Sequence, residues 1–216
     1  MSEIKGVVFD MDGVIIDSEP THFECNIRTL MDFNVISTYS DFEKYVGVAD
    51  HVMWASIISE NNLDTTVEKI IEKQDQHREI LFKKESIKAV DGTINLIKLL
   101  SEKKYKIGLA SSSPRNFINM ILKELEISKY FDAVVSGNEV VRSKPEPDIY
   151  IKAASQIGVE PRLCVAIEDA KNGVHAAKSA GMFTIGFKNV NSGNQDLSSA
   201  HKIIYHMNEV MEILFP

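Results

Sequence analysis

Short β-branched segments alternate with amphipathic segments of helical length over the second half of this chain, and this alternation constrains the fold more than any other feature. The strand candidates are residues 106–110, 133–136, 164–167, 182–186 and 203–205. Apolar stripes at helical spacing separate them. Strands that alternate with helices of about ten residues are typical of βαβ units. We therefore predict an α/β fold with a parallel sheet.

The first half of the chain has a different pattern. Residues 4–9 form one short β-branched run that ends at acidic residues, which predicts a buried strand. From about Glu19 to Glu85 the apolar residues follow helical periodicity, and no strand-turn-strand signal interrupts them. A helical segment is therefore expected to follow the first strand.

Composition and charge exclude several classes of protein. The 216 residues include 24 Lys and Arg against 31 Asp and Glu, for a net charge of −7, which argues against a nucleic-acid-binding protein. No apolar run approaches the length of a membrane span, and the N-terminal segment does not read as a signal peptide. The two cysteines, Cys25 and Cys164, indicate no disulfide framework. We expect a cytoplasmic monomer that binds neither nucleic acid nor membranes.

Polar and charged side chains follow four of the strand candidates. In chain order they are Asp10 and Asp12, Ser111 to Ser113, Lys144, and Glu168 and Asp169. Open parallel sheets bind ligands at the carboxyl ends of their strands. Each signal alone has a structural explanation, since Asp-x-Asp-Gly is often a turn and Ser or Asp often caps a helix. Their coincidence at one predicted edge of the sheet favours a functional site.

The chemistry of this set indicates phosphoryl transfer. Clustered carboxylates stay ionised beside a cation, and hard oxygen ligands favour Mg²⁺. Hydroxyl groups and a lysine suit the oxygens of a phosphate. One carboxylate can attack phosphorus, and a second can move the proton of the leaving oxygen or of water.

The residues also identify a resemblance. The chain resembles the haloacid dehalogenase superfamily, in its β-phosphoglucomutase-like branch, at residues 9–18, 110–113, 143–150 and 167–173. This resemblance implies a Rossmann-like parallel-sheet core formed by residues 1–16 and 89–216. It also implies an all-helical cap domain inserted between them, at residues 17–88.

The resemblance assigns roles within the core. It implies that Asp10 is the nucleophile and Asp12 the general acid and base, and that Ser111, Ser112 and Lys144 bind the phosphoryl oxygens. The cofactor implied is Mg²⁺, held by the Asp10 carboxylate, the Asp12 backbone carbonyl and Asp169, with Glu168 near.

The cap departs from the mutase pattern of that branch. In the mutases a Lys-Gly-x-x-Arg loop binds a second phosphate, whereas here Gly47 remains but Val46 and Asp50 stand at the two cationic positions. Three further residues are candidates for contact with the substrate. His22 and Lys73 match substrate-side positions of that branch, although each could equally be a surface residue of a helix. Arg115 could contact a phosphate of the substrate or cap the following helix.

We therefore predict a Mg²⁺-dependent phosphomonoester hydrolase that acts on a small sugar phosphate or a similar metabolite through an aspartyl-phosphate. β-Phosphoglucomutase is the alternative, which Asp50 disfavours because a carboxylate there would repel a second phosphate. A non-catalytic phosphate-binding protein is a further alternative, although both Asp10 and Asp12 are retained.

Overall fold

A computed structural model describes residues 4–82 and 87–215 of the chain. Six parallel strands form one sheet in the order β3-β2-β1-β4-β5-β6. The strands are β1 Gly6–Phe9, β2 Lys106–Ser111, β3 Ala133–Ser136, β4 Cys164–Glu168, β5 Phe183–Phe187 and β6 Lys202–Ile204. The predicted α/β fold with a parallel sheet is confirmed, and each strand lies within two residues of its predicted bounds.

Helices surround the sheet and fill the segment after β1. They are α1 Glu19–Met31, α2 Asp50–Asn61, α3 Val67–Leu81, α4 Thr93–Glu102, α5 Arg115–Glu124, α6 Asp148–Gln156, α7 Lys171–Ser179 and α8 Glu209–Leu214. Within the described ranges, no helix combines the length and the apolar character that crossing a membrane requires.

The sheet is buried on both faces. Alternate residues of β1 enter different clusters, because successive side chains of a strand point to opposite faces. Val7 and Phe9 join the cluster that includes residues of α4, α5 and α8, whereas Val8 joins the cluster formed with α6 and α7. Burial on both faces explains why the strands read as continuous apolar runs rather than as alternating ones.

The segment 17–88, which we call the cap, supplies most of a third cluster, which Ala170 of the core also joins. Phe23 from α1, Trp54 from α2 and Ile70 from α3 are buried in it. The two connections to the core lie side by side, since Asp17 N donates to Lys88 O at 2.9 Å and Val90 N donates to Ile15 O at 2.9 Å. Residues 83–86 of the cap lie outside the described residues, and the division at 17–88 stays a prediction.

Candidate active site

Asp10 lies at the centre of the edge where the parallel strands end. It follows β1, which pairs with β2 on one side and with β4 on the other. Its Oδ1 accepts a hydrogen bond from Lys144 Nζ at 2.6 Å, and the same ammonium donates to Glu168 Oε1 at 2.6 Å and to Ala110 O at 3.2 Å. All three charged side chains are buried. The sheet topology thus brings together groups that are up to 158 positions apart (Glu168 minus Asp10).

One ammonium serves two buried carboxylates here. Burial lowers the pKa of Lys144, but the charges of Asp10 and Glu168 outweigh burial and raise it above its ordinary value. Burial and the charge of Glu168 raise the pKa of Asp10 well above its ordinary value, although Lys144 opposes them. This part of the site therefore holds more negative charge than Lys144 compensates.

The donor atoms fit a divalent cation. Asp10, Glu168 and Asp169 each place a carboxylate oxygen within 4.8 Å of the others. Burial and the charges of Asp10 and Glu168 raise the pKa of Asp169 well above its ordinary value, and Ser192 Oγ donates a hydrogen bond to its carboxylate. A cluster of hard oxygens with excess negative charge is the donor set that Mg²⁺ prefers.

Two glycines make room for the carboxylates of Asp169 and Glu168, because neither glycine has a side chain. A Cβ on Gly13, whose φ is +76°, would lie 1.8 Å from Asp169 Oδ2. A Cβ on Gly173, in the first turn of α7, would lie 1.9 Å from Glu168 Oε1. The glycines of the two sequence motifs are therefore needed for close approach at the candidate metal site.

Asp12 points from the core toward the cap. Its Oδ1 accepts hydrogen bonds from Ser18 Oγ at 2.6 Å and contacts His22 Nε2 at 2.8 Å, and its Oδ2 accepts from Ser113 Oγ at 2.9 Å. Burial raises the pKa of Asp12, but the charge and hydrogen bond of His22 and the two serines outweigh it, so the pKa falls to about 2. The pKa of His22 is raised, because Asp12 outweighs the opposing effect of burial. The contact therefore favours the carboxylate form of Asp12 and the protonated form of His22.

The predicted phosphate-binding serines lie beside this pair. Ser112 lines the cavity between core and cap, and its Oγ donates to Gly47 O at 3.2 Å. Ser111 is buried, and its Oγ accepts from the Ser113 backbone N–H at 3.0 Å, which fixes the loop after β2. The contact between Ser112 and Gly47 joins the loop after β2 to the cap.

The cap contributes both apolar and polar groups to the same cavity, and two of the charged ones, Arg78 and Asp50, are paired with one another. Arg78 of α3 is buried and binds Asp50 of α2, with Nη2 2.8 Å from Oδ2, and Asp75, with Nη1 2.5 Å from Oδ1. Asp50, expected to repel a second phosphate, thus has a cationic partner that the sequence did not indicate. Burial, with the charges of Asp12 and Asp17, raises the pKa of Glu19, another lining residue, to about 7.

The structure places the predicted cap and substrate residues differently from one another. His22 and Gly47 line the cavity. Lys73 is exposed on α3 and donates to Gln76 at 3.4 Å, so it points away from the cavity. Arg115 binds Glu139 through Nε and Nη2, both at 2.7 Å, and is likewise outside the lining that the described residues form. Contact of Lys73 or Arg115 with a substrate stays a prediction that this arrangement does not support.

The sequence did not indicate several of the contacts at the site. Ser18 and Ser113 hold Asp12, and Tyr150 donates to Glu168. These three lie inside the motifs that carry the resemblance, so their spacing was a usable signal. Ser192 and Arg78 had no such signal, because their partners at the site, Asp169 and Asp50, lie 23 and 28 positions away along the chain.

Comparison with known proteins supports the same reading. The family model for haloacid dehalogenase-like hydrolases matches residues 7–187. A phosphorylated carbohydrates phosphatase of Thermotoga maritima is 29% identical over 98% of both chains. A β-phosphoglucomutase of Bacillus subtilis is 33% identical over 85% of this chain and 83% of its own.

The fold has close structural counterparts. The crystal structure of a β-phosphoglucomutase from Clostridium difficile superposes with a TM-score of 0.84 at 26% identity, covering 96% of this chain and 93% of that one. The resemblance drawn from the motifs is therefore confirmed. The chain belongs to the haloacid dehalogenase-like hydrolases and is an enzyme of their phosphatase and β-phosphoglucomutase-like group.

Proposed function

We propose that the protein is a Mg²⁺-dependent phosphomonoester hydrolase that acts on a small sugar phosphate or a similar phosphorylated metabolite in the cytoplasm. The observation that supports this most is the arrangement of Asp10 between Lys144 and Asp169, with Asp12 beside it on the cap side. A carboxylate nucleophile, a charge-compensating ammonium and a second, separately held carboxylate are the groups that a two-step phosphoryl transfer requires.

In the first step a carboxylate oxygen of Asp10 attacks phosphorus, and the bond between phosphorus and the leaving oxygen breaks. Lys144 offsets the charge of the transferring group, and the hydroxyl of Ser111 and the backbone N–H of Ser112 offer donors to its oxygens. Asp12 then protonates the leaving oxygen. In the second step Asp12 takes a proton from a water that attacks the aspartyl-phosphate, which frees phosphate and restores Asp10.

Asp12 needs a proton before the first step, because its pKa of about 2 keeps it ionised in the free site. The negative charge of a bound phosphate raises the pKa of a neighbouring carboxyl. His22 Nε2, 2.8 Å from Asp12 Oδ1, is the adjacent donor that can supply this proton. The ionised state of Asp12 suits the second step, in which it acts as the base.

The residues that would hold Mg²⁺ are the carboxylates of Asp10 and Asp169 and the backbone carbonyl of Asp12, with Glu168 facing them. When bound, the ion would offset the negative charge on the phosphoryl oxygens. Glu168 shares Lys144 with Asp10, so it also positions the ammonium.

The test is phosphate release from a panel of phosphorylated metabolites, with Mg²⁺ and with a chelator. We expect release that the chelator abolishes and that Asp10→Asn lowers by at least about 10³-fold, while Asp64→Asn, an exposed carboxylate of the cap, keeps the wild-type rate. Activity that persists in Asp10→Asn would refute the proposed nucleophile. Absence of release from every member of the panel would favour the non-catalytic alternative.

A mutase remains the second candidate, supported by the similarity to the enzyme of Bacillus subtilis. The experiment that separates the two is incubation of β-glucose 1-phosphate with a trace of the bisphosphate. A phosphatase releases inorganic phosphate, whereas a mutase forms glucose 6-phosphate without it. We expect inorganic phosphate, because Val46 and Asp50 replace the two cations of the mutase loop.

A further inference from the structure

We propose that Tyr150 of α6 is a positioning residue, because its hydroxyl allows Lys144 to leave Glu168 and donate to the phosphoryl group. Tyr150 stays as the hydrogen-bond donor of Glu168 when a phosphoryl oxygen takes up the ammonium. The inference rests on the proposed phosphatase function and gives a role to a residue for which the sequence indicated none.

The ammonium of Lys144 has all of its hydrogens engaged. A protonated lysine carries three donors and no acceptor. Lys144 Nζ contacts Asp10 Oδ1 and Glu168 Oε1, both at 2.6 Å, and Ala110 O at 3.2 Å. The side chain is 1% exposed, so these contacts fix its direction. To donate to a phosphoryl oxygen, the ammonium has to give up or share one of its three acceptors.

Glu168 is the acceptor for which the loss of Lys144 would be most costly. Asp10 receives the phosphoryl group in the proposed first step, and Ala110 O is an uncharged carbonyl. Glu168 is a fully buried carboxylate whose other oxygen accepts a long hydrogen bond from the Ala170 backbone N–H, at 3.4 Å. A buried charge without a donor costs more free energy than a buried neutral group without one. A second donor to Glu168 Oε1 therefore makes the exchange easier.

Tyr150 supplies this second donor. Its Oη donates to Glu168 Oε1 at 2.5 Å, and the side chain is fully buried in the cluster that α6 and α7 form with the sheet. Burial and the charge of Glu168 raise the pKa of Tyr150 well above its ordinary value, so the phenol keeps its proton at neutral pH. Lys144 Nζ lies 5.3 Å from the centroid of the same ring. One side chain thus contacts both the carboxylate and the ammonium.

The hydroxyl of Tyr150, rather than its ring, performs the proposed role. Tyr150→Phe keeps the ring beside Lys144 and removes only the oxygen. Lys144 would then be the one side-chain donor to Glu168 Oε1 among residues 4–82 and 87–215. Because a carboxylate with a single donor holds that donor more strongly, Lys144 would be less available to a phosphoryl oxygen.

The test measures phosphate binding rather than turnover. Wild-type protein and Tyr150→Phe, each with ¹⁵N-labelled lysine and saturating Mg²⁺, are titrated with inorganic phosphate while NMR follows the Lys144 ammonium. We expect phosphate to shift the Lys144 signal, and Tyr150→Phe to bind phosphate about three- to tenfold more weakly. The matched control is Tyr130→Phe, whose ring lies 5.3 Å from Lys129 Nζ and which precedes β3 at the opposite edge of the sheet. It should bind phosphate as the wild type does.

A second measurement needs only the wild-type protein, and it decides the question if thermal melting shows that Tyr150→Phe does not fold. The tyrosines carry ¹³C at Cζ, which reports on the bond that the hydroxyl makes. When phosphate draws Lys144 away, the hydrogen bond from Tyr150 to Glu168 should strengthen. The Tyr150 and Lys144 signals should therefore move together, over the same range of phosphate concentration.

Three results would overturn the role of Tyr150. They are equal phosphate affinity in the wild type and Tyr150→Phe, a Lys144 signal that bound phosphate does not shift, and a Tyr150 signal that stays in place while Lys144 moves. Failure of the proposed function is a separate result. It would appear as wild-type protein that binds phosphate but releases none from any member of the metabolite panel.

Discussion

The cavity has two sides of different character, one formed by the edge of the sheet and the other by the cap. On the sheet side, buried carboxylates outnumber the one lysine that binds them. On the cap side, Arg78 is matched by Asp50 and Asp75, and amide groups complete the network. Uncompensated charge suits a cation and a transferring phosphoryl group, whereas charges that are already matched need no ligand to balance them. We therefore expect the chemistry to depend on the sheet side, and changes on the cap side to leave the chemical groups in place.

The largest effect is expected from removing the lysine of the sheet side. Lys144→Met leaves Asp10 and Glu168 buried without their shared partner, so unfolding free energy should fall by about 3–5 kcal/mol and phosphate release by at least about 10³-fold. Denaturant unfolding and the phosphate assay measure the two losses. Lys178→Met, an exposed lysine of α7, is the control. Wild-type activity in Lys144→Met would show that the charge of the sheet-side lysine is not needed for phosphate release, which would contradict the contrast drawn between the two sides of the cavity.

A smaller effect is expected from Glu19 on the cap side. Its pKa is raised from an ordinary value of 4.5 to about 7, mainly by burial. Below pH 4.5 the carboxyl is protonated in both states. As the pH rises toward 7 the unfolded chain ionises while the folded protein keeps the proton, so stability is lost through this window, by at most about 3 kcal/mol.

Glu19→Gln should therefore flatten the stability profile between pH 4.5 and 7 in metal-free protein, as thermal melting across that range would show. Glu24→Gln, on the same helix but half-exposed and paired with Arg28, is the matched control. A profile that is unchanged in Glu19→Gln would mean that this carboxyl is solvated rather than buried against the cavity.

The smallest effect is expected from Ser192, which donates to Asp169. Ser192→Ala removes a hydrogen bond that orients a proposed ligand of Mg²⁺, and such losses weaken metal binding about tenfold. Calorimetric titration with Mg²⁺ measures this directly. Ser198→Ala, an exposed serine farther along the same loop, should bind the ion as the wild type does. If the affinity of Ser192→Ala equals that of the wild type, Asp169 is held by other contacts.

The sheet side could be predicted from sequence because its geometry follows from strand pairing. Once residues 6–9, 106–111 and 164–168 form neighbouring parallel strands, Asp10, Ser111 and Asp169 must meet at one edge. The apolar runs that define those strands are visible in the sequence.

The cap side depends on helix orientation, which the sequence pattern does not fix. Lys73 and Gln74 are adjacent in α3, yet about 100° separates successive side chains around a helix, so Gln74 enters the cavity and Lys73 faces solvent. Arg78 and Asp50 are 28 positions apart on different helices, and only their packing brings them together. Matching Lys73 to a substrate-side position therefore missed the cation that the cap does supply.

The most direct test of Asp10 as the nucleophile is transfer of labelled phosphate to the protein. Wild-type protein is mixed with the best substrate of the panel carrying a ³²P-phosphoryl group, quenched in acid during turnover, and mapped by peptide analysis. We predict a hydroxylamine-sensitive label on the peptide that contains Asp10, and no label in Asp10→Asn. Turnover without any protein-bound label, or a label that persists in Asp10→Asn, would contradict the aspartyl-phosphate mechanism.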